Sequence, residues 1–400
     1  MNILFDFITT QWFFGTGGCE YIRRVYYALI ERIDSGLNDV NIIGVIDSSL
    51  PETQYEDLTT DTLLKHCVSV VDINGKKLKD LVVDNHIDKI FVGVTQVWAE
   101  RYSFTNVDCE VITITHDIHD EEVDSIRFYE YNALFGSAYM RLRQIGARAV
   151  KSIKSWLGIT HAPLSGFINA LKDNEKWRCI TVSEYSRHSL EYFYEVPSSR
   201  IQVLYSPERT MECNDKPSDK KLAEIIASGR KYYLLVSADR PLKNANRTLL
   251  AFNRYCEKNF HDKKERPLFV TVGMNKSEIC EGHVDLARLT ESDLVCAYKH
   301  CFALVFSSFF EGFGYPPMEA MKYGVPVLAS NVTSIPEIVG DAAITFSPFY
   351  ICDIYRAFCM LTDENRNQYS KRSLEWYKVI NEKQNADLVR LVDIIVHVAP

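Results

Sequence analysis

Short runs of β-branched and aromatic residues alternate with longer amphipathic stretches along this sequence, and this alternation is the feature that most constrains its fold. Parallel strands are covered on both faces and need helix-sized crossovers, so they are short, apolar and separated by helices. The sequence therefore predicts two doubly wound α/β domains. The predicted strands are Asn2–Ile8, Val40–Ile46, Val68–Val71, Lys89–Val94 and Glu110–Thr115, followed by Arg178–Val182, Ile201–Leu204, Lys231–Ser237, Pro267–Val272, Phe302–Phe306 and Val325–Ala329.

The chain length also favours two domains, because 400 residues is about two to three times the usual domain size. The stretch 206–218 is polar and carries two prolines, which is typical of a linker. We therefore predict an N-terminal Rossmann-like domain over residues 1–205 and a C-terminal one over 206–375. A final helix over 376–400 is expected to pack back on the N-terminal domain.

Composition excludes several classes of protein. The formal net charge of -8 argues against nucleic acid as the main partner, since phosphate binding favours a basic chain. Eleven cysteines occur without a single C-x-x-C pair, mostly in apolar surroundings, which indicates free thiols in a reducing compartment. The sequence begins without a basic leader and contains no apolar run near the roughly 18 to 20 residues that span a bilayer. A cytoplasmic location is the resulting expectation.

The segment Ser307–Gly324, SSFFEGFGYPPMEAMKYG, carries the densest chemical signal. It lies between two predicted strands, and its two prolines suit the first turn of a helix, which places Glu319 inside that helix and Glu311 in the loop before it. Such a strand-to-helix turn lies at the carboxyl edge of a sheet, where ligands bind, and free N–H groups at the helix start attract anions. Carboxylates there can accept hydrogen bonds from sugar hydroxyls, which suits a sugar nucleotide.

One region departs from the overall acidity. Residues 131–172 contain no Asp or Glu, and their basic side chains alternate with Met, Leu, Ile and Trp. The pattern is typical of a basic amphipathic helix, which either docks on anionic lipid at the inner membrane face or presents its basic face to solvent or to an acceptor. The residues assigned to this acceptor or membrane contact are Arg141, Arg148, Lys151 and Lys154.

Further motifs accompany the two carboxylates along the chain. They are EGFGYPPMEAM with Glu311 and Glu319 eight positions apart, GVPVLASN, Ile335–Ile338, GDAA at Gly340–Ala343, Lys243-Asn244 after a strand, and Gly17-Gly18-Cys19-Glu20 near the start. Together they resemble the retaining glycosyltransferases of family 4, which have the GT-B fold of two Rossmann-like domains facing a cleft, with C-terminal helices. The resemblance covers essentially the whole chain.

The resemblance implies roles for individual residues. Glu311 would contact the donor sugar, Glu319 the nucleotide ribose, and Lys243 the donor diphosphate as a point charge. Many members have Gly-Arg where this chain has Ser237-Ala238, and the nearest arginine, Arg240, is displaced by two positions. The remaining donor-binding residues implied by the family pattern are Gly17, Gly18, Gly312, Phe313, Gly314 and Tyr315.

His116 follows a predicted strand and resembles the family histidine beside the reacting centre, so His116 and Glu311 are the candidate catalytic residues. The sequence HDIHDEE at this point also permits a metal site through His116 and His119, but the spacing matches no helical metal motif. The chain contains no Asp-x-Asp triplet, the usual signature of metal-dependent sugar transfer. We therefore expect no cofactor and no metal, with Lys243 and backbone N–H groups supplying the positive charge.

These observations predict a retaining, metal-independent glycosyltransferase. It would move a hexose from a GDP- or UDP-sugar to a glycan or lipid-linked acceptor in bacterial surface polysaccharide synthesis. Two alternatives share the fold, namely a sugar-nucleotide epimerase, which needs no acceptor, and a catalytically silent binding protein of GT-B shape.

Overall fold

The computed structural model of the protein describes residues 1–12, 17–37, 39–122, 163–211, 216–274 and 280–397. These residues form two compact units. Unit 1 comprises 1–122, 163–209 and 383–397, and unit 2 comprises 210–382. The sequence placed the boundaries at 205/206 and 375/376. Among the helices of these described ranges, none is long and apolar enough to cross a membrane.

Unit 1 is built on a seven-stranded sheet with the strand order β3-β2-β1-β4-β5-β6-β7. Every pairing in it is parallel, so the carboxyl ends of all its strands lie at one edge. The strands are β1 (Asn2–Asp6), β2 (Asn41–Ile46), β3 (Ser69–Asp72), β4 (Lys89–Val92), β5 (Glu110–Thr115), β6 (Trp177–Thr181) and β7 (Ile201–Val203).

Helices connect these strands and bury apolar side chains against both faces of the sheet. The one-sided pattern of α2 illustrates the cause, because its residues Cys19, Ile22, Val25 and Leu29 are fully buried. The described helices of unit 1 before its last segment are α1 (Ile8–Trp12), α2 (Gly17–Asp34), α3 (Thr60–Leu63), α4 (Leu78–Asp84), α5 (Thr95–Arg101), α6 (His119–Glu122), α7 (Pro163–Asp173) and α8 (Glu184–Tyr194).

Unit 2 repeats this architecture around a six-stranded parallel sheet with the order β10-β9-β8-β11-β12-β13. Its strands are β8 (Tyr232–Leu235), β9 (Leu268–Val272), β10 (His283–Leu286), β11 (Ala303–Phe306), β12 (Val327–Ser330) and β13 (Ile344–Phe346). Its helices are α9 (Lys220–Ala227), α10 (Ala245–Asn259), α11 (Glu291–His300), α12 (Tyr315–Lys322), α13 (Ile335–Val339), α14 (Ile351–Met360) and the first part of α15 (Asp363–Val396).

The predicted doubly wound α/β class is confirmed, but several elements were missed or misplaced. Both edge strands of unit 2, β10 and β13, were not predicted, because they are short and carry partly exposed residues instead of a continuous apolar run. The first strand ends at Asp6 instead of Ile8, and α1 follows it. Helix α10 begins at Ala245, directly after Asn244, which has a left-handed backbone with φ 59°.

The C-terminal part of helix α15 is the last described segment of unit 1, and a buried lysine binds the end of this helix. Lys89, at the start of β4, is 1% exposed. Its ammonium donates to the carbonyls of Ile394 at 2.9 Å and His397 at 2.5 Å, and lies 3.1 Å from a carboxylate oxygen of Glu110. Burial lowers the pKa of Lys89, against the opposing effect of Glu110. A positive charge thus meets the partly negative C-terminus of the helix.

Replacing Lys89 with Met should destabilise unit 1 by about 3 kcal/mol, because it leaves helix carbonyls and part of the Glu110 carboxylate buried without their partner. Urea unfolding of the full chain measures this change. Arg32→Ala is the matched control, since Arg32 pairs with Asp393 near the same helix end but both side chains are over 40% exposed. The control should lose less than about 1 kcal/mol. Equal losses would contradict the assigned role of Lys89.

Candidate active site

The turn after β8 presents Lys243 at the carboxyl edge of the unit 2 sheet. A short 3₁₀ turn, Pro241–Lys243, ends at Asn244, whose side chain donates to the carbonyl of Pro348 at 2.9 Å. The Ser307 hydroxyl donates to the carbonyl of Lys243 at 2.9 Å and accepts from Thr248 at 2.6 Å. The backbone of Lys243 is therefore fixed from both sides before any ligand binds.

Lys243 and Glu311 form an ion pair in unit 2. The ammonium lies 2.5 Å from a carboxylate oxygen of Glu311, and the two side chains are only 10% and 17% exposed. The same ammonium lies 4.7 Å from the ring centre of Phe306, on the neighbouring strand β11. Partial burial strengthens the attraction between the two charges, so the pair forms a fixed polar centre at this edge.

The loop that carries Glu311 is held by two hydroxyl side chains that the sequence did not single out. The backbone N–H of Glu311 donates to the Thr333 hydroxyl at 3.2 Å. The Ser334 hydroxyl donates to the carbonyls of Glu311 at 2.9 Å and Phe313 at 3.1 Å. Both hydroxyls follow β12, so the loop after one strand positions the loop after its neighbour. The nearest motif identified in the sequence, Ile335–Ile338, begins one residue after Ser334 and does not include either hydroxyl.

Glu319 lies inside α12 and Glu311 in the preceding loop, as the sequence places them. Glu319 is 8% exposed, and its carboxylate accepts a hydrogen bond from the Tyr298 hydroxyl at 2.7 Å. The helix starts after Gly314, whose φ of 108° is unfavourable for residues with a side chain. A buried carboxylate with a fixed orientation can accept hydrogen bonds from a polyhydroxyl ligand without reorganising.

The other residues of unit 2 that were predicted to bind the donor take no part in the ion pair between Lys243 and Glu311. Gly312 is buried, and Phe313 is 4% exposed with its ring 5.6 Å from that of Tyr315, so these residues support the loop through packing. Arg240 is exposed, and among the described residues its side chain makes no hydrogen bond or ion pair. The structure brings Lys243 and Glu311 together and leaves Arg240 outside this contact.

His116 lies at the carboxyl edge of the unit 1 sheet, directly after β5. Its Nε2 atom is 3.0 Å from the carbonyl oxygen of Gly93, in the loop after β4. The ring of Tyr21, on α2, meets it edge-on at 4.9 Å. Burial lowers the pKa of His116 to about 4 from an ordinary 6.5, so the imidazole is neutral at neutral pH.

Gly17 and Gly18 start α2 at the same edge of unit 1. A side chain on Gly18 would lie 2.9 Å from a methyl group of Val94, so glycine permits the close approach of α2 to the β4–α5 loop. Glu20, in the same first turn of α2, is 3% exposed and accepts a hydrogen bond from the Tyr55 hydroxyl at 2.8 Å. These contacts bring the GG-x-E segment near the loop that binds His116.

Two further expectations concern metal and the basic segment. In the ranges that the structure describes, no group of three or more His, Cys, Asp or Glu residues is placed to hold a metal ion. Arg141, Arg148, Lys151 and Lys154 lie outside the described residues.

The decisive comparison concerns unit 2. Residues 218–350 match the family described as glycosyl transferases group 1. This range contains Lys243, Glu311 and Glu319. The family match covers one part of the chain, and that part carries the ion pair and the buried carboxylate described above.

Two curated relatives of this chain are mannosyltransferases by name. The chain is 31% identical over 187 residues to the O-antigen chain mannosyltransferase B of Escherichia coli, covering 42% of this chain and 47% of that protein. It is 47% identical over 95 residues to the serotype-specific mannosyltransferase WbdA of Escherichia coli, covering 24% of this chain and 11% of that protein. The chain thus spans less than half of the length of either relative.

Solved structures confirm the fold over the whole chain. WaaG, a glycosyltransferase involved in lipopolysaccharide biosynthesis, is 12% identical with a TM-score of 0.58 and full coverage of both chains. Anabaena Alr3699/HepE in complex with UDP-glucose is 14% identical with a TM-score of 0.59, covering 99% of this chain and 98% of that one. At these identities the likeness shows the predicted GT-B fold alone.

The depressed pKa of His116 predicts a specific pH dependence of stability. The unfolded chain binds a proton on this residue below about pH 6.5 and the folded chain only below about pH 4, so stability should fall as the pH is lowered through this window. Between pH 7.5 and pH 5, this effect should lower the free energy of unfolding of the wild type by at most about 2 kcal/mol. In His116→Asn this part of the loss should be absent.

Urea unfolding at the two pH values measures the effect. His119→Asn is the control, because that side chain is 46% exposed. If wild type and His116→Asn lose stability equally on acidification, His116 is not held neutral by burial.

Proposed function

We propose that this protein is a retaining glycosyltransferase that moves a hexose from a nucleoside diphosphate sugar to a glycan acceptor without a metal ion. The observation that carries the proposal is the ion pair between Lys243 and Glu311 at the carboxyl edge of the unit 2 sheet, followed eight positions later by the buried Glu319. All three residues lie within the range that matches the glycosyl transferases group 1 family.

The donor would bind through complementary charge and hydroxyl recognition. Lys243 offers an ammonium whose backbone is already fixed, and a diphosphate is a stronger anionic partner for it than one carboxylate. Glu311 and Glu319 accept hydrogen bonds and cannot bind phosphate, so they suit the hydroxyls of the transferred sugar and of the ribose. This division assigns each charge in the site to one part of a sugar nucleotide.

We propose mannose as the transferred sugar, because the two curated relatives described above are mannosyltransferases by name. GDP-mannose is then the first donor to test, with UDP-glucose as the comparison.

In the reaction the acceptor hydroxyl would attack the anomeric carbon from the side of the leaving diphosphate. The bond to the diphosphate breaks, and a leaving phosphate oxygen takes the acceptor's proton, so retention needs no protein nucleophile. Lys243 would stabilise the negative charge that develops on that leaving group.

The acceptor would be a growing surface polysaccharide, free or lipid-linked, as the name of the O-antigen chain mannosyltransferase B suggests. A lipid-linked acceptor would be held at the cytoplasmic face of a membrane, so we also propose docking there through the basic segment 131–172. Co-sedimentation with anionic vesicles at low salt checks the docking, and a protein that stays in the supernatant would exclude it.

Incubation with GDP-mannose or UDP-glucose alone tests the function and separates it from the alternatives. A transferase hydrolyses its donor slowly and accelerates when a polysaccharide acceptor is added. An epimerase converts the donor into its stereoisomer, and a silent binding protein leaves it intact. Either of the last two results would overturn the proposal.

Glu311→Gln and Glu319→Ala should each lower transfer by a factor on the order of 10 to 1,000, because each change removes one or two charged hydrogen bonds to the loaded donor. Initial rates at saturating donor measure the loss. Glu257→Gln serves as the control, since Glu257 is an exposed carboxylate on α10 outside the site. Full activity of both site variants with unchanged melting would refute the assignment.

Chelation with EDTA should leave the rate unchanged, because the proposal gives the charge-stabilising role to Lys243. Lys243→Ala should weaken binding of the nucleoside diphosphate product at least about tenfold, as measured by calorimetry. Lys263→Ala is the matched control, since Lys263 forms an exposed ion pair with Glu281. Activity that EDTA abolishes and Mn²⁺ or Mg²⁺ restores would show that a metal takes this role.

A further inference from the structure

The contact between His116 and Gly93 determines which ring nitrogen carries the proton. A neutral imidazole has one N–H and one nitrogen that only accepts hydrogen bonds. A backbone carbonyl oxygen can only accept, and the Gly93 carbonyl lies 3.0 Å from Nε2 of His116. The proton of the neutral ring is therefore on Nε2, and Nδ1 is left as a hydrogen-bond acceptor.

The Gly93 peptide is itself held by a buried carboxylate. Asp6, the last residue of β1, is fully buried, and its Oδ2 atom accepts from the backbone N–H of Gly93 at 3.0 Å. The Thr9 hydroxyl donates to the same oxygen at 2.7 Å, and the Thr9 backbone N–H donates to Oδ1 at 3.1 Å. In all three contacts an oxygen of Asp6 is the acceptor, so this arrangement fixes the N–H of Gly93 toward Asp6. Burial raises the pKa of Asp6, and these hydrogen bonds oppose the rise.

Close packing keeps the Gly93 peptide in place. A side chain at position 93 would lie 2.3 Å from Ile22 on α2, so only glycine fits beneath that helix. The peptide is thus bound by Asp6 at its N–H, covered by Ile22 and bound to His116 at its carbonyl. Three elements that are distant in sequence, namely the ends of β1, β4 and β5, form one chain of contacts.

We propose that Asp6 is a positioning residue which, through the Gly93 peptide, fixes His116 in the Nε2–H form, so that Nδ1 accepts a hydrogen bond from a substrate hydroxyl. The inference rests on the proposed function, which supplies the sugar substrate. It narrows the chemistry that His116 can recognise. An acceptor nitrogen binds a hydroxyl and repels the oxygens of a phosphate, so this form of His116 suits a hydroxyl ligand and not a phosphate.

NMR of protein labelled with ¹⁵N-histidine tests the tautomer directly, with His116→Asn to assign the signal. The expected spectrum shows a protonated Nε2 and an unprotonated Nδ1 between pH 6 and 8. A protonated Nδ1 would overturn the proposal. In Asp6→Asn the signal should shift toward a mixture of tautomers, and a spectrum identical to wild type would remove Asp6 from the proposal.

Two further variants distinguish a specific effect of Asp6 on His116 from a general folding defect. Asp72→Asn is the matched control, because Asp72 ends β3 at the same sheet edge and accepts from the backbone N–H groups of Ser48 and Asn74. It should leave the His116 signal unchanged, and a shift equal to that of Asp6→Asn would overturn the specific role. If Asp6→Asn does not fold, Thr9→Val takes its place, because it removes one hydrogen-bond donor to Asp6. It should shift the His116 signal in the same direction as Asp6→Asn. An unshifted signal would show that Asp6 does not position His116.

Turnover of GDP-mannose tests the second part of the proposal, namely that Nδ1 of His116 accepts a hydrogen bond from a substrate hydroxyl. Asparagine at position 116 keeps an acceptor oxygen near the former Nδ1, whereas glutamine extends toward Gly93 as Nε2 does. His116→Asn should therefore retain a kcat about tenfold higher than His116→Gln, with similar KM for the donor. The reverse order would overturn the acceptor role. A wild type that turns over no nucleotide sugar contradicts the proposed function, while the NMR result still decides the tautomer.

Discussion

Parallel pairing of every described strand is the constraint on which the rest of this structure depends. It places the carboxyl ends of all strands in a sheet at one edge, so residues far apart in sequence become neighbours there. Lys243 follows β8 and Glu311 follows β11, and 68 positions separate them. Asp6 and Gly93, 87 positions apart, meet in unit 1 for the same reason. Each half of the candidate chemistry is therefore a result of sheet topology.

The charge balance of unit 2 explains how a site can be ready for an anion without exposing a bare cation. A buried ammonium without a partner is costly, and Glu311 provides that partner in the free protein. In the proposed function, a diphosphate would replace the carboxylate at Lys243 and release Glu311 toward the sugar. The ion pair would then limit the cost of the empty site and also hold both of its members ready for the donor.

The sequence was most informative where function depends on local pattern. The spacing of Glu311 and Glu319 and the prolines of α12 are visible within one segment, and the strands with continuous apolar runs were found. The residues that support the site were missed, because Tyr298, Thr333 and Asp6 act through contacts across 21, 22 and 87 positions. Such contacts leave no periodicity, and polar residues at strand ends look like ordinary loop residues until the sheet brings them together.

Among the described residues around the candidate site of unit 2, three that are not glycine have a left-handed backbone, namely Ser237, Asn244 and Thr333, with φ between 54° and 59°. Each conformation costs on the order of 1 kcal/mol, and Thr333, as a β-branched residue, fits it least well. Two of the three also hold the site, through the hydrogen bonds of Asn244 to Pro348 and of Glu311 to Thr333. Glycine at these positions would relieve the backbone strain and, at the same time, loosen the loops. A laboratory selection for heat resistance would therefore favour substitutions at the positions on which the geometry of the candidate site depends.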